Sequence, residues 1–81
     1  MADDVSFKAG EAIFWEGYPS DNAYVIVSGE VEIFQVRDNG ENQLAILGPG
    51  QMFGEIGVMD DVPRTASARA LKDTVLRIVA I

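Results

Sequence analysis

Apolar residues along this chain recur with a period close to two, in short runs, and turn chemistry interrupts each run. Phe7 falls in a first short strand, and Ala12 to Glu16 forms a second, ended by Gly17-Tyr18-Pro19-Ser20-Asp21. Ala23 to Ser28 is rich in Tyr, Val and Ile, which suit a pleated, half-buried surface. Gly29-Glu30 turns the chain into Val31 to Arg37. Asp38-Asn39-Gly40 is a hairpin signal, because Asn-Gly tolerates positive φ, and Asn42 to Leu47 is expected to return antiparallel. Gly48-Pro49-Gly50 ends that run, and a short helix-like run opens at Gly54-Glu55. Arg64 to Ala70 and Thr74 to Ile81 read as the last two strands, the final one leaving an exposed edge.

In Arg64 to Ala70 the pattern of two places Arg64, Ala66, Ala68 and Ala70 on one face, opposite Thr65, Ser67 and Arg69. Small residues suit a tight inner surface. Strand geometry from the first residue turns the Arg64 guanidinium inward as well. A buried cation is costly unless paired, so an inward Arg64 calls for an anion. Many short strands, Gly/Pro turns and one helical turn predict an all-β fold, a jelly roll or small barrel. No linker, low-complexity tract or repeat divides residues 1–81, which read as one domain.

Composition narrows the chemistry. The 81 residues are 48% apolar, enough for one small core, and no run approaches the ~20 apolar residues that cross a bilayer. The acidic opening Met1-Ala2-Asp3-Asp4 is unlike a signal peptide, so a cytoplasmic location is expected. With no Cys and no His, the Ser-His and Cys-His nucleophilic machineries and the common zinc sites are excluded. A metal-dependent cupin lacks its ligands here. A net charge of −7 argues against direct binding of DNA or RNA. It also means that any anion site is built locally, from aimed donors rather than from a general field.

One segment combines such donors. Phe53-Gly54-Glu55-Ile56-Gly57-Val58-Met59-Asp60-Asp61-Val62-Pro63-Arg64-Thr65-Ala66 sets a glycine and a carboxylate at the start of a helix-like run, with an arginine nine residues after Glu55. Backbone N–H groups at a helix start bind anions, and an arginine fork grips the same phosphate from another side. A carboxylate there would repel phosphate, so Glu55 is read as an acceptor for an uncharged donor such as a sugar hydroxyl. Phosphate beside ribose means a nucleotide. Asp60-Asp61 reads as a solvated turn, and Asp38-Asn39-Gly40-Glu41 is too short for a calcium loop. Trp15 reads as a partly exposed strand residue, and Gly17, Gly29, Gly48 and Gly50 as turn residues.

The segment resembles the phosphate-binding cassette of the cyclic nucleotide-binding domain family. Ile13-Phe14-Trp15-Glu16-Gly17, Ser20-Asp21-Asn22-Ala23-Tyr24-Val25-Ile26, Ser28-Gly29-Glu30-Val31-Glu32-Ile33 and Leu47-Gly48-Pro49-Gly50-Gln51-Met52-Phe53-Gly54-Glu55 match the family's earlier blocks in order, over roughly Phe7 to Ile81. The resemblance implies a β-roll with one short helix and no catalysis. It implies a site built from Phe53, Gly54, Glu55, Ile56, Gly57, Arg64, Thr65 and Ala66. Backbone amides near Ile56 and Gly57, together with Arg64, would hold the cyclic phosphate. Glu55 would take the ribose 2′-hydroxyl, and Thr65 would touch the phosphate or guanine. The ligand would be cAMP or cGMP, cAMP being favoured, with no cofactor and no metal. Family members usually continue into lid helices past the point where this chain stops, so a module lacking its lid is expected, with an output domain that the sequence does not name. The alternative is a family fold that binds no nucleotide and serves in assembly, as a homodimer for example. The Glu55…Arg64 pair speaks against it.

Overall fold

In the computed structural model, which describes residues 3–80, the strands pair into two four-stranded sheets, antiparallel throughout. The chain runs β1 (Asp4–Phe7), β2 (Ala12–Phe14), β3 (Ala23–Ser28), β4 (Val31–Arg37), β5 (Gly40–Leu47), β6 (Met52–Phe53), α1 (Glu55–Asp60), β7 (Ser67–Ala70) and β8 (Thr74–Val79). One sheet has the order β1-β8-β3-β6 and the other β2-β7-β4-β5. The one helix among the described residues is the short run read from the sequence. This is the all-β class that alternation and turn spacing predict, and the β-roll that the resemblance implies.

The core lies between the sheets because each contributes one apolar face. Phe14, Val31 and Ala68 from one sheet meet Ile26, Phe53 and Leu76 from the other. Alternation explains the choice along β4. Val31 and Ile33 face this core, while Phe34, although 0% exposed, stands outside it. Phe34 is covered on the outer face by the Arg69 guanidinium, 4.2 Å from the ring centre, and by the edge of Trp15 at 6.0 Å. Glu32 and Glu41 hold Arg69 there, at 2.6 Å each.

The structure corrects the sequence reading in four places. β7 begins at Ser67 rather than Arg64 because the Arg64 backbone is used elsewhere: its N–H donates to Tyr18 O and its carbonyl accepts from Gly17 N, both at 2.8 Å. The burial alternation nevertheless starts at Arg64, with Arg64 and Ala66 buried and Thr65 exposed; Ser67 breaks it by being buried too. The 38–40 hairpin needs only one left-handed residue, Gly40 at φ 104°, and β5 starts there. Trp15 lies just past the end of β2, half exposed. The final strand is no edge: β8 lies between β1 and β3, and the free edges are β1, β6, β2 and β5. Ile81, the last residue of the expected strand, lies outside the described residues.

Candidate functional site

Helix α1 opens with a glycine for a physical reason. Its N-cap residue, Gly54, sits at φ 82°, a left-handed conformation that costs a glycine nothing. No side chain caps this end. The first backbone N–H groups of a helix have no partner within it, so those of the first turn, around Glu55, Ile56 and Gly57, are left for another acceptor. Gly57 is buried against the loop between β2 and β3. A Cβ there would overlap the Ser20 hydroxyl and come within 2.8 Å of the Ser20 Cβ, so only glycine lets the helix lie this close.

Arg64 faces the same end of the helix. It is 5% exposed, as the inward alternation predicts. Nη1 donates to Gly54 O at 2.8 Å and Nη2 to Asn22 O at 2.6 Å. The guanidinium carbon lies over the Phe14 ring, 4.1 Å from its centre. Phe14 is itself packed against Phe53 and Tyr24, at 6.0 and 6.3 Å. The Asp21 carboxylate approaches Nη2 only to 3.9 Å and is largely in solvent. The anion that burial called for is thus mostly replaced by two carbonyl dipoles and a ring face. The compensation is incomplete, since Arg64 Nε is buried with no acceptor. Neither Glu55 nor Asp61 is the partner of Arg64. Among the described residues nothing pairs with the half-buried Glu55 carboxylate, whose acceptor capacity stays free.

A cavity of about 240 Å³ opens between α1 and the strand-side wall. Phe53, Gly54, Glu55, Ile56, Gly57, Arg64, Thr65 and Ala66 all line it, so the structure brings together every residue singled out from the sequence. Ile56 projects largely into solvent, whereas Gly57, Arg64 and Ala66 are buried. The remaining wall is Phe14, Ile33, Leu47 and Met52, all apolar. One end of the cavity therefore carries amides, a cation and a free carboxylate, and the rest is greasy. That combination suits a small ligand with one anionic group, hydroxyls and a flat apolar body.

Sequence reasoning missed several supporting groups. Asn22 and Tyr18 act through their carbonyls, Phe14 through its ring, and Ser20 through its fit to Gly57. Backbone acceptors carry no residue-type signal. Asn22 is also 42 positions from Arg64, so no local spacing could reveal the contact. No helix among the described residues is long and apolar enough to cross a membrane.

Sheets, cassette helix and cavity together define a ligand-binding β-roll, and comparison with known proteins gives its family. Residues 4–80 match the cyclic nucleotide-binding domain, and the chain belongs to that family. It is 44% identical over 70 residues to the CRP-like cAMP-activated global transcriptional regulator of Mycobacterium tuberculosis (strain ATCC 25618 / H37Rv), a match covering 85% of this chain and 31% of that protein. The chain is also similar to the solved cAMP-bound form of the EAL enzyme Bd1971. That structure superposes with a TM-score of 0.93 at 42% identity, over 96% of this chain and 21% of the other. The cGMP-bound form of the same enzyme gives the same figures. The chain spans about a fifth to a third of the length of the curated relatives it matches.

Proposed function

We infer that this chain is a regulatory module that binds a cyclic nucleoside monophosphate, cAMP before cGMP, and performs no chemistry on it. The first-turn amides of α1 and the Arg64 guanidinium take the cyclic phosphate, Glu55 accepts from the ribose 2′-hydroxyl, and the base lies along the apolar wall. The observation that carries this reading is the buried Arg64, which opens onto the same cavity as the uncapped end of α1. Two donors of different kinds lining one small space support a locally built anion site even in a chain of net charge −7. The bound forms of the similar EAL enzyme, one with cAMP and one with cGMP, support the same ligand class here.

Binding would order the cassette and bias a neighbouring element between two states. The similar proteins include a transcriptional regulator and an enzyme, so one module of this kind serves different outputs. Calorimetric titration with cAMP, cGMP, AMP and inorganic phosphate tests the reading. Saturable binding of the cyclic nucleotides, with AMP and phosphate far weaker, is expected. Equal response to all four ligands refutes a cyclic-nucleotide site, and no response to any supports the assembly reading instead.

A further inference from the structure

Residues 64–66 lie outside the sheet ladder, so single bonds rather than strand pairing set their geometry. The pairing of β4 with β7 stops at Phe34↔Ser67. One residue further along β4, the Gln35 side chain takes over: its Nε2 donates to Thr65 O at 2.9 Å. The Arg64 backbone is already tied to Tyr18 O and Gly17 N in the β2–β3 loop. Gln35 thus holds the one peptide of this stretch that the β2–β3 loop does not. That peptide is trans, like every other described one, so its N–H points opposite to its carbonyl. Fixing Thr65 O therefore also fixes the direction of the Ala66 N–H. Thr65 and Ala66 both line the cavity beside Arg64.

We propose that Gln35 is a positioning residue for the anion site: it touches no ligand itself and sets the Thr65–Ala66 peptide in the orientation that nucleotide binding uses. The proposal rests on the functional reading above. It assigns to β4, a strand with no residue in the cassette, control over ligand affinity.

The test compares wild type, Gln35→Met and Gln35→Glu by calorimetric titration with cAMP and by thermal melting of the ligand-free chain. Met keeps the length and loses the donor. Its affinity should fall about three- to tenfold, the range for loss of one hydrogen bond, with only a small drop in ligand-free melting temperature because this bond is exposed and water can replace the donor. Glu at neutral pH can only accept, and it adds a negative charge near the phosphate. Its affinity should fall further, then recover relative to wild type as pH drops toward the ordinary carboxyl range of about 4.3. Parallel losses of melting temperature and affinity, without that recovery, would assign Gln35 a merely structural role and overturn the proposal. Unchanged affinity in both variants overturns it while leaving nucleotide binding intact. A wild type that binds neither cAMP nor cGMP overturns the functional reading. In that event the Ala66 amide resonance of the ligand-free chain decides the remaining point. A shift in Gln35→Met shows that the side chain orients this peptide, and no shift shows that it does not.

Discussion

At the scale of single residues, Arg64 carries two burdens, and they separate by measurement. Its guanidinium ties Gly54 O to Asn22 O across the site before any ligand arrives. Arg64→Ala should therefore destabilise the ligand-free chain by about 1–3 kcal/mol, because two partly buried carbonyls lose their donor. The same variant should weaken cAMP binding by a further ~1.5–3 kcal/mol, the range for hydrogen bonds to charged groups. Denaturant melts of the free chain give the first figure and titration the second; a stability loss with unchanged affinity would strip Arg64 of its ligand role. Glu55 presents the opposite case, a carboxylate with no partner among the described residues. Glu55→Gln should weaken cAMP more than 2′-deoxy-cAMP, and equal losses would mean that Glu55 does not read the ribose.

At the scale of elements, the cassette helix is held by fit rather than by caps. Gly57→Ala pushes a methyl into Ser20, and overpacking of this kind costs about 1–3 kcal/mol. Ser20→Gly should relieve most of it, so the double variant should melt above Gly57→Ala alone. Additive losses would show that the two residues do not meet in solution. On the outer face, β4, β5 and β7 are joined through Glu32, which is only 7% exposed. Hydrogen bonding from Gln43 holds its carboxyl below the ordinary value of 4.5, aided by Arg69, while burial works against both. A depressed folded pKa contributes stability that is complete above the unfolded value and is lost as pH falls through the folded one. Acid melts from pH 6 downward should therefore lose stability below about pH 4.5 more steeply in wild type than in Glu32→Gln. Identical acid limbs would remove Glu32 from that account.

At the scale of the whole molecule, ligand and fold are linked. A nucleotide that binds only the folded chain adds ~2.7 kcal/mol at a hundredfold excess over Kd, so cAMP should raise the melting temperature visibly in so small a domain. The described cavity offers the base an apolar wall, and beside Arg64 and Glu55 the one lining polar side chain within it is Thr65. Adenine and guanine should thus be separated poorly by this chain alone, and a large difference in the two titrations would mean that Thr65 discriminates more than one hydroxyl normally does. Self-association of the kind the assembly alternative needs has no open strand edge at β8, which has neighbours on both sides. The longest free edge is β5, where Ile46 is exposed. Ile46→Lys should weaken any dimer seen by sedimentation across a concentration series, and an unaffected dimer would place the contact elsewhere.

The all-β class, the strand at Ala23–Ser28, the strand at Val31–Arg37 and the short helix after Gly54 were all legible in the chain itself. Alternation and turn residues are local properties, and they act through sterics within a few positions. The candidate site was legible for a related reason. Its candidate amides, carboxylate and guanidinium fall within one 14-residue stretch, Phe53 to Ala66, so their grouping on one cavity could be read locally, while their proposed roles came from the family resemblance. Tertiary structure decided what lies beyond local reach. It buried β8 in the middle of a sheet, because strand order depends on pairing between segments far apart in sequence, Asp4 with Arg77 for example. It placed Phe34 outside the core and covered it with Arg69. It gave Arg64 the carbonyl of Asn22, which any residue type could have supplied, and the ring of Phe14 in place of an anion, both from far along the chain.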